Sequence, residues 1–183
     1  MEEGYFFFNG RPEAIDCEPK EIAVYDFLER LDVVFKTLKH PAAFTIAECN
    51  KVRDRIDAPV FKNLFLTNKQ QTKFYLLVMP GEKNFKTKYL SSQIGSSRLS
   101  FAGEEQMMEF LGVRPGAVTP MGLINDSNKR VKVLLDEDLK SHRVFACHPC
   151  VNTASVVLTL NDLVDAVIPA TGHDAEWVTL PWE

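Results

Sequence analysis

Val60-Phe61-Lys62-Asn63-Leu64-Phe65-Leu66 and Lys73-Phe74-Tyr75-Leu76-Leu77-Val78-Met79 are two apolar, aromatic-rich runs, separated by the polar stretch Thr67-Asn68-Lys69-Gln70-Gln71-Thr72. Runs of that length and composition suit strands, and the polar connection between them reads as a hairpin with an extended loop. Pro80-Gly81 ends the second strand. The first run also holds a lysine in apolar company, which is costly unless its ammonium faces a cleft.

Toward the N-terminus, residues 21–31 carry Ile22, Tyr25, Leu28 and Leu31 at three-residue spacing, an amphipathic helix. Residues 33–38 are β-prone and lead into His40-Pro41, where the proline favours extended geometry in its predecessor. Thr45 stands three residues before Glu48, the spacing of a reciprocal cap, and predicts a helix over about 46–55. Toward the C-terminus, residues 85–94 and 104–111 read as helices stopped by Gly95 and Gly112. Strands are expected at Leu123-Ile124 and over 131–135, 144–147 and 155–158, then a helix over 161–168 and a last strand near Val178. Hairpins without a strict βαβ rhythm predict an α/β (α+β) single domain, a mixed, largely antiparallel sheet flanked by helices. Residues 1–20 are expected as an N-terminal arm, 21–172 as the working domain, and 173–183 as a C-terminal strand or tail.

The chain has 183 residues, 45% of them hydrophobic, enough for one sizeable core. No apolar run is long enough to span a bilayer. The N-terminus is acidic, with no basic region before Tyr5-Phe6-Phe7-Phe8, so a cytoplasmic protein is expected. A net charge of -4 argues against indiscriminate coating of nucleic acid, DNA included. It leaves room for a local basic stripe, with Lys83, Lys86, Lys88 and Arg98 as one candidate and Lys69 with Lys73 as another.

Cys147-His148-Pro149-Cys150 has the spacing of a redox dithiol or of half a zinc site. A redox pair expects its first cysteine at a helix start, whereas this one follows a β-prone run. A structural zinc site needs four ligands, and Cys17, Cys49, His40, His142 and His173 are scattered singly. No phosphate loop, dinucleotide fingerprint or GxSxG elbow is present.

Four stretches taken in order carry a family resemblance. They are the run from Val60 to Leu66, Ser97-Arg98-Leu99-Ser100-Phe101-Ala102, Leu111-Gly112-Val113-Arg114-Pro115-Gly116-Ala117-Val118-Thr119-Pro120, and Cys147-His148-Pro149-Cys150-Val151-Asn152-Thr153-Ala154. Together they resemble the YbaK/prolyl-tRNA editing family of aminoacyl-tRNA deacylases, ProX/PrdX type, over roughly residues 21–172. The resemblance implies trans-editing: hydrolysis of tRNA(Pro) carrying a wrong amino acid, alanine first, by metal-free and substrate-assisted chemistry. It implies no cofactor, the mischarged tRNA(Pro) acceptor end as partner, and prolyl-tRNA synthetase as a second possible one. Cys-tRNA(Pro), serine or threonine esters, or a non-catalytic binding role are the alternatives. The family's lysine falls on Lys62, its asparagine on Asn63, its Gly-x-x-x-Pro loop on Gly116 to Pro120, and its histidine on His148. Cys150 and Ser155 stand where leucine and threonine are common, beside the expected amino-acid pocket.

These residue types suit ester hydrolysis, which needs an oriented water and stabilisation of a developing oxyanion but no protein nucleophile. Lys62 offers a compact cation on a flexible stem. Asn63 can donate and accept, Gly116 lets backbone approach a ligand, and His148 can hydrogen-bond the aminoacyl group.

Overall fold

A computed structural model describes residues 4–43 and 46–182, with backbone alone for 46–50. The strands are β1 (Phe6–Asn9), β2 (Lys36–Lys39), β3 (Lys62–Asn68), β4 (Phe74–Met79), β5 (Leu99–Phe101), β6 (Val131–Asp136), β7 (Val144–Cys147), β8 (Ala154–Thr159) and β9 (Ala175–Val178). The helices are α1 (Pro19–Arg30), α2 (Ile46–Ile56), α3 (Thr87–Gln93) and α4 (Glu104–Leu111), with a short helical segment over 162–170.

The hairpin forms as its sequence dictates: β3 and β4 pair antiparallel, with Lys62 opposite Met79 and Phe65 opposite Leu76. Asn68 fixes the loop by accepting at Oδ1 from the backbone N–H groups of Thr72 (2.8 Å) and Lys73 (3.0 Å). Every residue of β4 is buried, which is why its sequence lacks polar alternation. Phe74, Leu76 and Val78 enter the main core, whereas Tyr75, Leu77 and Met79 enter a second one with Leu90 of α3 and Leu180.

Two sheets stand where one was expected. The first runs β5-β3-β4-β6-β9, antiparallel from β5 to β4 and parallel from β4 to β9. The second, β1-β2-β8-β7, is antiparallel throughout. The main core draws on both sheets, on Val24, Tyr25 and Leu28 of α1, and on Phe110 and Leu111 of α4. A mixed α/β domain with mostly antiparallel pairing results.

Local chemistry sets the helix ends. Pro19 stands in the first turn of α1, where its missing N–H costs nothing, and the backbone N–H of Glu18 donates to the Glu21 carboxylate at 3.3 Å. α4 ends at Gly112, φ +64°, in the left-handed conformation that glycine adopts without strain. The Thr45–Glu48 cap lies outside the described residues.

Four expectations are corrected. Residues 1–20 are not simply an arm: the aromatic run finds the open edge of β2 and becomes β1, and α1 starts at Pro19. Leu123-Ile124 is not a strand but part of a 3-10 turn, Pro120–Asn125, because Pro120 begins it and Thr119 caps it by accepting from Met121 N–H at 3.3 Å. The segment expected as a plain helix over 161–168 takes the wider π form at Asp162–Val167, just before Pro169, which lacks a donor for the α pattern. Lys83 does not belong to a surface basic stripe: it is fully buried, whereas Lys69, Lys73, Lys86, Lys88 and Arg98 are exposed.

Phe65, Phe74 and Phe110 form an aromatic cluster, with Phe74 and Phe110 centroids 4.2 Å apart. Phe110→Ala is expected to destabilise the chain by about 3–5 kcal/mol, while Phe101→Ala, at a surface position, changes stability by less than about 0.5 kcal/mol. Urea unfolding of the two variants checks the contrast.

Candidate active site at the seam of the two sheets

The sheets meet where the chain enters β3. Val60 bridges Ala146 of β7, and the Ala146 N–H donates to the Pro59 carbonyl at 2.9 Å. Lys62 and Asn63 continue from one side of this seam, and Cys147 and His148 leave from the other. Between them opens a cleft of about 280 Å³, lined by Lys62, Asn63, Gly116, Val118, His148 and Ser155 among others. Four of the five residues expected at a site thus line one cleft. The fifth, Pro120, does not line it: it is buried at the start of the 3-10 turn.

Lys62 is held by its tip. Its Nζ donates to the backbone carbonyl of Lys83 at 2.8 Å, which uses one of three ammonium donors and leaves the others for a ligand. Lys83 in turn anchors the loop that offers that carbonyl. Its own Nζ lies 2.8 and 3.0 Å from the Asp136 carboxylate and 2.6 Å from Asp138 Oδ2. The bond from Lys83 holds the Asp138 carboxyl below its ordinary pKa, and a second from the Trp182 indole N–H adds to this. The same loop packs on the seam at Gly81, where a Cβ would fall 2.3 Å from the Val60 carbonyl oxygen. Only glycine allows that approach.

Asn63 Oδ1 is buried without a hydrogen-bond partner. An orphaned buried acceptor is costly by itself and calls for a donor from a ligand or water. Across the cleft, His148 Nδ1 lies 2.8 Å from the Ala154 carbonyl. A carbonyl only accepts, so Nδ1 carries the proton and the neutral ring keeps a lone pair at Nε2. Burial is the main cause that lowers the His148 pKa, with the nearby His40 ring adding to it. His40 repeats the pattern: Nδ1 donates to the Pro41 carbonyl at 2.9 Å, and Nε2 accepts from Ser155 Oγ at 3.0 Å. Burial likewise lowers its pKa.

The loop opposite is tied to the same segment. Gly116 takes φ +86°, a conformation that a side chain resists. Thr119 Oγ1 donates to the His148 carbonyl at 2.7 Å, which ties the loop to the histidine's backbone. Sequence reasoning missed Thr119 and His40, since a Thr-Pro and a His-Pro pair signal only local turns.

Cys147 and Cys150 are free, buried thiols, both pushed up to about 12, chiefly by burial. Such thiols are poor nucleophiles and poor metal ligands. Among the described residues no group of three or more His, Cys, Asp or Glu is arranged to hold a metal ion. Cys150 is wholly buried in the main core and does not line the cleft, whereas Ser155 does.

Two measurements test this arrangement. Lys83→Met leaves Asp136 buried without its partner and is expected to lower stability by about 3–5 kcal/mol; adding Asp136→Leu restores part of that loss in urea unfolding. The lowered pKa values of His40 and His148 mean that, as the pH falls through about 6.5, the unfolded chain takes up protons before the folded one. Stability therefore falls toward acid pH, and urea midpoints of a His40→Asn/His148→Asn variant should fall less steeply between about pH 7.5 and about pH 5.5.

Known proteins are similar to this chain in sequence and in fold. Residues 40–166 match the aminoacyl-tRNA editing domain. The chain is 32% identical over 166 residues to the prolyl-tRNA editing protein ProX of Acetoanaerobium sticklandii, covering 91% of this chain and all of the relative. It is 33% identical over 141 residues to prolyl-tRNA synthetase associated domain-containing protein 1 of Danio rerio, covering 76% of each. A crystal structure of a candidate trans-editing enzyme for prolyl-tRNA synthetase superposes with a TM-score of 0.68 at 21% identity, over 90% of this chain and 99% of that one. With the domain match spanning most of its length and a relative of this similarity covered end to end, the chain belongs to the aminoacyl-tRNA editing domain family and is an aminoacyl-tRNA deacylase.

Proposed function

We propose that the chain is a trans-editing hydrolase of mischarged tRNA(Pro), with Ala-tRNA(Pro) as its preferred substrate and no metal in the reaction. The observation that carries this reading is that Lys62, Asn63 and His148 line one cleft, with donors left on the Lys62 ammonium, an unpartnered acceptor on Asn63 and a lone pair on the His148 ring. The names of the relatives, a prolyl-tRNA editing protein and prolyl-tRNA synthetase associated proteins, support the tRNA assignment.

Each group has a task in ester hydrolysis. Asn63 Oδ1 accepts from the α-ammonium of the aminoacyl group, which satisfies the orphaned acceptor and fixes the scissile carbonyl. The free N–H donors of Lys62 face the oxyanion that forms when water adds to that carbonyl, or the adjacent phosphate. His148 Nε2 accepts a hydrogen bond from the attacking water or from the neighbouring ribose hydroxyl that orients it. The C–O bond to the ribose then breaks, the amino acid leaves as its acid, and the ribose oxygen takes up the proton that the water gave.

The cleft is large enough to take an aminoacyl group. Ser155 places a hydroxyl on its wall, with its proton directed to His40. The enzyme would act in the cytoplasm on the tRNA that prolyl-tRNA synthetase has mischarged, where pocket size alone discriminates between similar amino acids by only about 1–3 kcal/mol.

Alanine release from Ala-tRNA(Pro) is expected to slow by at least about 100-fold in Lys62→Ala, as for loss of an oxyanion donor, and to be indifferent to EDTA. Equal rates with and without the Lys62 ammonium would sink its role. A panel of Ala-, Cys-, Ser- and Thr-charged tRNAs ranks the substrates, and tight tRNA binding without turnover of any of them would favour a non-catalytic binding module.

A further inference from the structure

A second cleft of about 170 Å³ adjoins that of Lys62, lined by Arg53, Val60, Phe61, Glu82, His142 and Trp182 among others. Val60 and Phe61 form the wall between the two. Trp182 is 60% exposed there, yet it is fixed in place. Its indole N–H donates to Asp138 Oδ2 at 2.6 Å, and Lys83 Nζ lies 5.2 Å from the ring centroid. Phe61 stacks on Phe145 at 5.2 Å and meets His142 edge-on at 5.3 Å. The cleft therefore presents the Trp182 ring in an orientation set before any ligand arrives, beside a wall fixed by the buried Phe61.

An exposed tryptophan whose ring is already oriented, by a hydrogen bond at one end and a buried cation near its face, offers a stacking platform that loses little side-chain freedom when a ligand binds. The lining also supplies an acceptor carboxylate at Glu82. A nucleotide base matches both features, with a π-face to stack and an exocyclic amino group to donate.

We infer that this cleft is a base-stacking subsite for the nucleotide that precedes the terminal adenosine of an aminoacyl-tRNA, with Trp182 as its platform. The inference rests on the editing reading of the neighbouring cleft, which takes the aminoacyl end. Trp182 stands outside residues 40–166, the part that matches the editing domain, so the domain match assigns it no role. The loop that carries Lys83 couples the two clefts: its carbonyl holds Lys62, and its ammonium lies beside Trp182.

The test compares kcat/KM for an alanyl ester of the CCA trinucleotide with that for alanyl-adenosine. In the wild type the longer substrate is favoured. Trp182→Leu is expected to reduce that advantage roughly tenfold through KM, in line with the loss of one stacked base, while Trp182→Phe, which keeps a stacking face, retains most of it. An undiminished advantage in Trp182→Leu overturns the subsite. Equal losses in the Phe and Leu variants also overturn it, since they would trace the effect to the bond with Asp138 that both variants lack. Tryptophan fluorescence gives a readout independent of hydrolysis: the uncharged CCA trinucleotide should quench the wild type saturably, with the quench absent in Trp182→Phe. Quenching without hydrolysis of either ester would support the subsite while refuting the editing reading, and absence of quenching would refute the subsite alone.

Discussion

A fully buried ammonium must be paired, and the pairing of Lys83 with Asp136 organises this molecule around its site. Both side chains are removed from solvent, so each is tolerable only because the other is present. Asp136 comes from the end of β6 and Lys83 from the loop after β4, so their contact sets where the Pro80-Gly81 turn lies against the seam. From that turn a backbone carbonyl reaches the ammonium of Lys62. A structural ion pair thus holds Lys62 without competing for its charge, because the bond to Lys62 is made by a peptide oxygen and not by a carboxylate.

The other wall of the cleft is built on neutral hydrogen bonds. His148 and His40 each donate from Nδ1 to a backbone carbonyl, and burial lowers the pKa of both rings. The result is two neutral rings, of which His148 lines the cleft opposite the Lys62 cation, while His40 accepts at Nε2 from Ser155 on the cleft wall. Separated charge and lone pairs of this sort suit a reaction in which a water must be polarised and negative charge stabilised at the same time. Thr119 and Gly116 serve the same wall through the backbone, one by bonding the His148 carbonyl and the other by taking a conformation closed to larger residues.

Much of this was legible in the sequence. The β3–β4 hairpin, α1, α4 and the glycine stop at Gly112 follow from local pattern, because strand propensity, capping and the left-handed preference of glycine act over a few residues. Lys62 announced itself as a cation in an apolar run, and the ordered motifs pointed to Asn63, Gly116 and His148. Leu123-Ile124 misled because a two-residue apolar pair has no period, and the cap from Thr119 decided the matter. Lys83 misled for a different reason. A lysine near other lysines reads as surface, and the two aspartates that bury it are more than fifty positions away in the chain.

By itself, then, the sequence determined most of the elements, the family and four of the residues around the cleft, since each depends on short-range patterns or on motif order. Tertiary structure decided what those residues can do. That the sheet is split in two, that the halves join at Val60 and Ala146, that Asn63 Oδ1 is left without a partner, and that Trp182 is pinned beside a second cleft all depend on contacts between distant segments. Local propensity carries no record of such contacts, because their energies arise only when burial removes water from both partners at once.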